Sequence, residues 1–233
     1  MGIGLAGRLA LMEKEDGLSI SLYIPGEYSV TTKNGNKISL VYDTDYPRSE
    51  MIKIRLSMES ETELAISFRT TRMKSMSING EDTTLSKDGE TVIRRVWRNG
   101  DEIVLVADLA TKVLHPIPYG EQVLMNTVIW GHNYIIPTYD KEDPIAKNHV
   151  ALIRGPIVLA QDSRLGTDVD KAIEIIEQNG EADVILNEEG KAPFPTILEA
   201  NITLADGTNM PLVDYASAGK ALNNKMAAWM LVR

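Results

Sequence analysis

Between Gly17 and Leu109 apolar and polar residues alternate. Leu18, Ile20 and Leu22 alternate with Ser19 and Ser21, and Ile52, Ile54, Leu56 and Met58 with Lys53, Arg55 and Ser57. Leu64, Ile66 and Phe68 alternate with Ala65, Ser67 and Arg69, and Ile103, Leu105, Ala107 and Leu109 continue the pattern with Asp108 facing out. Successive side chains of a strand point to opposite faces, so a period of two predicts strands with one buried face, as in antiparallel sheets. Turn dipeptides punctuate the pattern at Asn34-Gly35, Asn79-Gly80, Asp88-Gly89 and Asn99-Gly100. Such pairs accept the positive φ of tight hairpin turns at low cost. Strands at this spacing predict an antiparallel β-sandwich.

Before Gly17 the period is different. Leu5, Leu9 and Met12 recur at i, i+4, i+7 and predict a short helix over Ile3 to Lys14, ended by Asp16-Gly17. Glycines and Arg8 interrupt the apolar stretch, so it does not read as a signal peptide. Expressed as it stands, the chain is expected in the cytoplasm. After Leu109 strands resume. Val123 to Trp130, Val150 to Ile153, Ile157 to Ala160, Leu198 to Leu204 and Met226 to Val232 are the candidates. Thr167 to Gln178 fits either a capped helix or a strand entering a turn at Asn179-Gly180. Pro116 and Pro118 suggest a boundary near Leu114 to Tyr119. The expected organisation is a helix over 1–16, a first β-sandwich over 17–115 and a second over 116–233. The expected fold class is mainly β, with jelly-roll-like antiparallel sandwich modules.

Composition narrows the chemistry. Among 233 residues there is no cysteine, which excludes disulfides, cysteinyl metal sites and a cysteine nucleophile in this chain. Lys and Arg number 24 against 33 Asp and Glu, a net charge of -9, which disfavours nucleic-acid binding. No apolar run approaches the roughly 20 residues of a membrane-spanning helix. His115, His132 and His149 lack metal-ligand spacing, and no metal site is expected. Ser217 in Tyr215-Ala-Ser-Ala-Gly219 lacks the first glycine of a nucleophile elbow. The acidic groups Asp43 with Asp45, Asp140 to Asp143 and Asp168 with Asp170 read as solvated loops. The stretch Trp130-Gly-His-Asn-Tyr-Ile-Ile-Pro-Thr-Tyr139 is the most aromatic. Aromatic faces beside a few polar groups suit a sugar ring, which makes Trp130, His132, Tyr134 and Tyr139 the candidate carbohydrate-binding residues. Core or interface packing is the alternative use of the same rings.

Several stretches in order carry a family likeness. They are Gly17-Leu-Ser-Ile-Ser-Leu-Tyr-Ile-Pro25, Tyr42-Asp-Thr-Asp-Tyr-Pro47, Ser77-Ile-Asn-Gly80, Arg94-Arg-Val-Trp-Arg-Asn-Gly-Asp101, Ala151-Leu-Ile-Arg-Gly-Pro-Ile-Val158 and Leu212-Val-Asp-Tyr-Ala-Ser-Ala-Gly219. Together they resemble the C-terminal half of the β-L-arabinofuranosidase-type glycoside hydrolases, glycoside hydrolase family 127. The resemblance implies β-sandwich modules that follow an (α/α)6 barrel. It also implies a retaining mechanism in which a cysteine thiolate beside a zinc ion is the nucleophile, both belonging to the barrel. With no cysteine here, no catalytic residue carries over, and no cofactor is expected in this chain. The expected role is structural, with a carbohydrate-binding module as the alternative and a hydrolase using an acidic pair as a more distant one. The resemblance further implies that barrel helices would cover Ile3, Leu5, Leu9 and Met12. In their absence these residues are expected to form a homodimer contact.

Overall fold

In a computed structural model of the protein, the described residues are 9–32, 35–116, 126–129, 132–135 and 148–233, with the strands at 126–129 and 132–135 described by their backbone alone. The protein is mainly β, as the alternation predicts, and divides into two compact units, Met1–Leu109 and Ala110–Arg233. The division falls ahead of the two prolines because Thr111 already hydrogen-bonds within the second unit.

The first unit comprises β1 (Met12–Lys14), β2 (Gly17–Ile20), β3 (Gly26–Thr31), β4 (Lys37–Thr44), β5 (Met51–Met58), β6 (Thr62–Arg69), β7 (Met73–Ile78), β8 (Glu81–Thr83), β9 (Glu90–Trp97) and β10 (Glu102–Ala107). They form a four-stranded sheet, β1-β2-β6-β9, and a six-stranded sheet, β3-β4-β5-β10-β7-β8. The alternating positions do what period two requires. Ile52, Ile54, Leu56 and Met58 are buried, while Met51, Arg55 and Ser57 are exposed. One core joins Leu18, Ile66, Phe68 and Trp97 of the smaller sheet to Leu40, Ile54, Met76 and Leu105 of the larger. Trp97, the largest of these, donates its indole N–H to the Leu64 carbonyl at 3.2 Å, so its polar atom is satisfied inside the core. The Asn79-Gly80 turn closes β7 and β8 with φ of 52° and 83°. Its Asn79 side chain also braces the start of β10, accepting from the Glu102 N–H and donating to Asp101, both at 2.8 Å.

Two details depart from the pattern-based reading. β2 runs parallel to β6 within an otherwise antiparallel sheet. The leading helix also ends sooner than its periodicity suggests. Leu9 and Ala10 are helical, but Met12–Lys14 form β1 and pair with β2. Sheet hydrogen bonds along an open edge outweigh the weak preference of a short helix. Ala10 is fully buried and its carbonyl accepts from the Tyr42 hydroxyl at 3.1 Å. Tyr42→Phe is expected to cost about 1 kcal/mol in urea unfolding, since the Ala10 carbonyl loses its donor. An unchanged midpoint would show that this bond does not hold the leading segment.

The second unit comprises β11 (Thr111–Leu114), β12 (Asn126–Ile129), β13 (His132–Ile135), β14 (His149–Arg154), β15 (Ile157–Asp162), β16 (Val184–Leu186), β17 (Glu199–Thr203), β18 (Asn209–Asp214), β19 (Met226–Ala227) and β20 (Trp229–Leu231). An eight-stranded sheet has the order β11-β14-β15-β18-β17-β16, with β19 paired to β15 and β20 to β14, and β12 with β13 forms a separate hairpin. The single strand expected over Met226 to Val232 is thus two short ones. The ambiguous Thr167 to Gln178 segment is not helical. Ile173 and Ile175 make isolated bridges to Val232 and Leu204, and Asn179-Gly180 turns the chain between Gln178 and Glu181. Ile173 and Ala182 from this irregular stretch join Leu152, Leu159, Ile202 and Leu212 in the core.

Candidate functional site

The polar chemistry of the second unit gathers where β15 and β18 end. β15 starts apolar, but its last two residues, Gln161 and Asp162, are polar and 1% and 0% exposed. Asp162 caps a 3-10 turn, Ser163–Leu165, by accepting from the Arg164 N–H, and Gly166 ends the turn at a φ of 81°. The Arg164 guanidinium folds back on the same carboxylate, with Nε to Oδ1 at 2.9 Å and Nη2 to Oδ2 at 2.6 Å. This two-pronged geometry is the strong form of a carboxylate pair. The Gly219 N–H adds a donor at 2.8 Å. The guanidinium also donates to the Ser217 carbonyl at 3.1 Å and lies 3.4 Å from the centre of the Phe194 ring.

Asp214 closes β18 in a similar way. Its carboxylate accepts from the N–H groups of Ile197, Leu198 and Ser217 at 2.9–3.2 Å. A third carboxylate, Glu199, accepts from the backbone of Lys191 and Ala192 and from the Thr196 hydroxyl. Asp162 has all its lone-pair directions taken, and its pKa is pushed down to about 2, chiefly by Arg164. Such a group neither takes nor gives a proton near neutrality. These carboxylates hold loops in place through the backbone N–H groups they accept from.

The residues singled out by sequence fall elsewhere. Trp130 and Tyr139 lie outside the described residues, and only the strand backbone is described for His132 and Tyr134. Ile3 and Leu5 also lie outside them. Leu9 is exposed, and Met12 sits in β1 opposite Ser19 rather than on a helix with Leu9. Ser217 is 3% exposed, and its hydroxyl oxygen accepts from the Ile197 N–H at 3.3 Å, a packed rather than a nucleophilic position. His115 meets Glu177 at 2.7 Å on the surface. Asp43 and Asp45 are exposed, Asp170 pairs with Lys225, and the Asp140 to Asp143 group lies outside the described residues. Among the described residues no group of three or more His, Asp or Glu is placed to hold a metal ion. The cysteine thiolate of the centre implied by the resemblance has no counterpart in this sequence, which holds no cysteine. Sequence reading missed Gln161, Asp162 and Arg164 because it ended the strand at Ala160. The available signal was a polar pair continuing an apolar strand into Ser163-Arg164.

Comparison with known proteins places this architecture. Residues 17–109 match the family model described as β-L-arabinofuranosidase, GH127 middle domain. No curated protein matches the chain. Among solved structures, the fold is similar to a GH127 β-L-arabinofuranosidase from Geobacillus stearothermophilus, with 18% identity and a TM-score of 0.66, covering 97% of this chain and 35% of that one. A GH127 β-arabinofuranosidase matches with 16% identity and a TM-score of 0.69, over 96% of this chain and 36% of that chain. A third structure, described as a glycoside hydrolase, matches with 16% identity and a TM-score of 0.64, over 96% and 37%. The family-model match over 17–109 agrees with the resemblance read from sequence, and the solved structures are similar in fold. The chain spans about a third of the length of the solved structures it matches.

Proposed function

We propose that this chain is a non-catalytic β-sandwich portion of a β-L-arabinofuranosidase-type glycoside hydrolase, and that its role is structural. The supporting observation is one of coverage. The likeness spans nearly all of this chain but only 35–37% of each matched structure, so most of each such enzyme has no counterpart here. The absence of cysteine and the use of Asp162, Asp214 and Glu199 as acceptors for loop N–H groups point the same way. The purified chain is expected to release no nitrophenol from a nitrophenyl arabinofuranoside, with or without added zinc. Turnover that survives repurification, and disappears when an acidic residue of this chain is replaced, would overturn the reading.

A further inference from the structure

A strand at the end of a sheet carries unpaired N–H and C=O groups along one side, and proteins blunt such edges, often by keeping them short. Most edges of this protein are short. Among the described strands, β1, β8 and β16 end their sheets with three residues each, and β11 with four. β9 is different. It ends the four-stranded sheet with eight residues, Glu90–Trp97, holds no proline, and pairs with β6 in one unbroken register from Thr62–Trp97 to Arg69–Glu90. Its outward side chains, Glu90, Val92, Arg94 and Val96, are all exposed, Val92 at 59%. An edge of this length suits a further strand, which would gain main-chain hydrogen bonds along it.

The charges along β9 say which strand fits. Arg95 and Arg98 pair with Asp101 and Glu61 of their own unit, whereas Arg94 has no ion pair among the described residues. A second β9, added antiparallel about a two-fold axis, keeps both outer faces on one side of the sheet only where opposed residues both point outward. Centred on Arg94, the pairing sets that arginine against itself. Centred on Ile93, it sets Val92 against Arg94. Centred on Val92, it sets Glu90 of each copy opposite Arg94 of the other and Val92 opposite Val92, with Thr91 opposite Ile93 on the inner face. Opposite charges and apolar pairs directly across a ladder are the stabilising combinations. We infer that two copies of this chain associate through β9, antiparallel and centred on Val92, so that their four-stranded sheets become one. The net charge of -9 on each copy opposes association, but at physiological salt it is screened over about 8 Å, and the strand contact is local. This surface is separate from the leading segment, because β1 and β9 lie at opposite ends of the sheet. The inference goes beyond the structural role proposed above, and neither activity nor inactivity of the chain bears on it.

The test uses the full chain, whose lack of cysteine makes a single introduced thiol a clean probe. Opposed Cα atoms of an antiparallel pair lie about 4.5–5.5 Å apart, within disulfide reach. Val92→Cys is therefore expected to give a covalent dimer with oxidised glutathione. Val96→Cys, exposed on the same face, is the control. Each copy of residue 96 lies four residues from the axis, so the two thiols stand about 27 Å apart and are expected to stay unlinked. Sedimentation of the parent chain in physiological salt is expected to show a dimer with a Kd on the order of 10 μM. Arg94→Glu and Glu90→Lys, both at exposed positions, are each expected to weaken it at least tenfold. Mixed in equal amounts, the two variants are expected to associate again, because the mixed pair restores both charge contacts. The inference is overturned if the parent is a monomer at roughly 100 μM, well above that Kd. It is also overturned if Val96→Cys links as readily as Val92→Cys, if the two charge variants dimerise like the parent, or if their mixture associates no better than either alone.

Discussion

Asp162→Ala is expected to destabilise the second unit by about 3 kcal/mol, because it leaves the Arg164 guanidinium, only 17% exposed, without its counter-charge. It also strips acceptors from the N–H groups of Arg164 and Gly219. That is a large share of the roughly 5–15 kcal/mol that holds an ordinary domain together. Urea unfolding measures it, and a loss under about 1 kcal/mol, the usual worth of an exposed pair, would refute the argument. Asp162→Ala combined with Arg164→Met is expected to cost less than the sum of the two single changes, since no charge is then left unpaired. The same bond network sets an acid limit. The Asp162 carboxyl titrates at about 2 in the folded chain, held down first by Arg164, against about 3.9 when unfolded. Between those values the unfolded chain binds more protons, so stability falls as pH drops from about 4 toward 2 and is fully present above that window. Asp162→Asn is expected to remove this part of the acid sensitivity.

Gly17→Ala is expected to cost about 3 kcal/mol in the first unit. An added Cβ would sit 1.9 Å from the Ala65 carbonyl oxygen, where β2 enters its parallel pairing with β6. Ala65 lies on a strand flanked by β2 and β9, so its backbone has little room to retreat. Gly80→Ala is the control. It has a φ of 83° but nothing within 4 Å of an added Cβ, so only the conformational cost of about 1 kcal/mol applies. Equal losses for the two variants would show that β2 does not approach β6 in this register.

The alternation over Ile52 to Met58 and Leu64 to Phe68 carried most of the fold, because side-chain direction along a strand is a local property and burial of one face follows from it. The turns at Asn79-Gly80 and Asn179-Gly180 were legible for the same reason, since positive φ is a property of one or two residues. The absence of cysteine likewise settled, from composition alone, that this chain carries no thiolate. Other features depended on distant partners. Met12–Lys14 became a strand because β2 offered it a ladder, and Thr167 to Gln178 stayed irregular because Val232 and Leu204 bridged it from far along the chain. The site was the least legible. Locally Gln161 and Asp162 show only as a polar pair continuing an apolar strand, and that does not decide burial, since a polar residue is affordable in a core only where a partner waits. Those partners, Met210, Gly219 and the Arg164 that packs on Phe194, are brought to β15 only by the sheet and its loops.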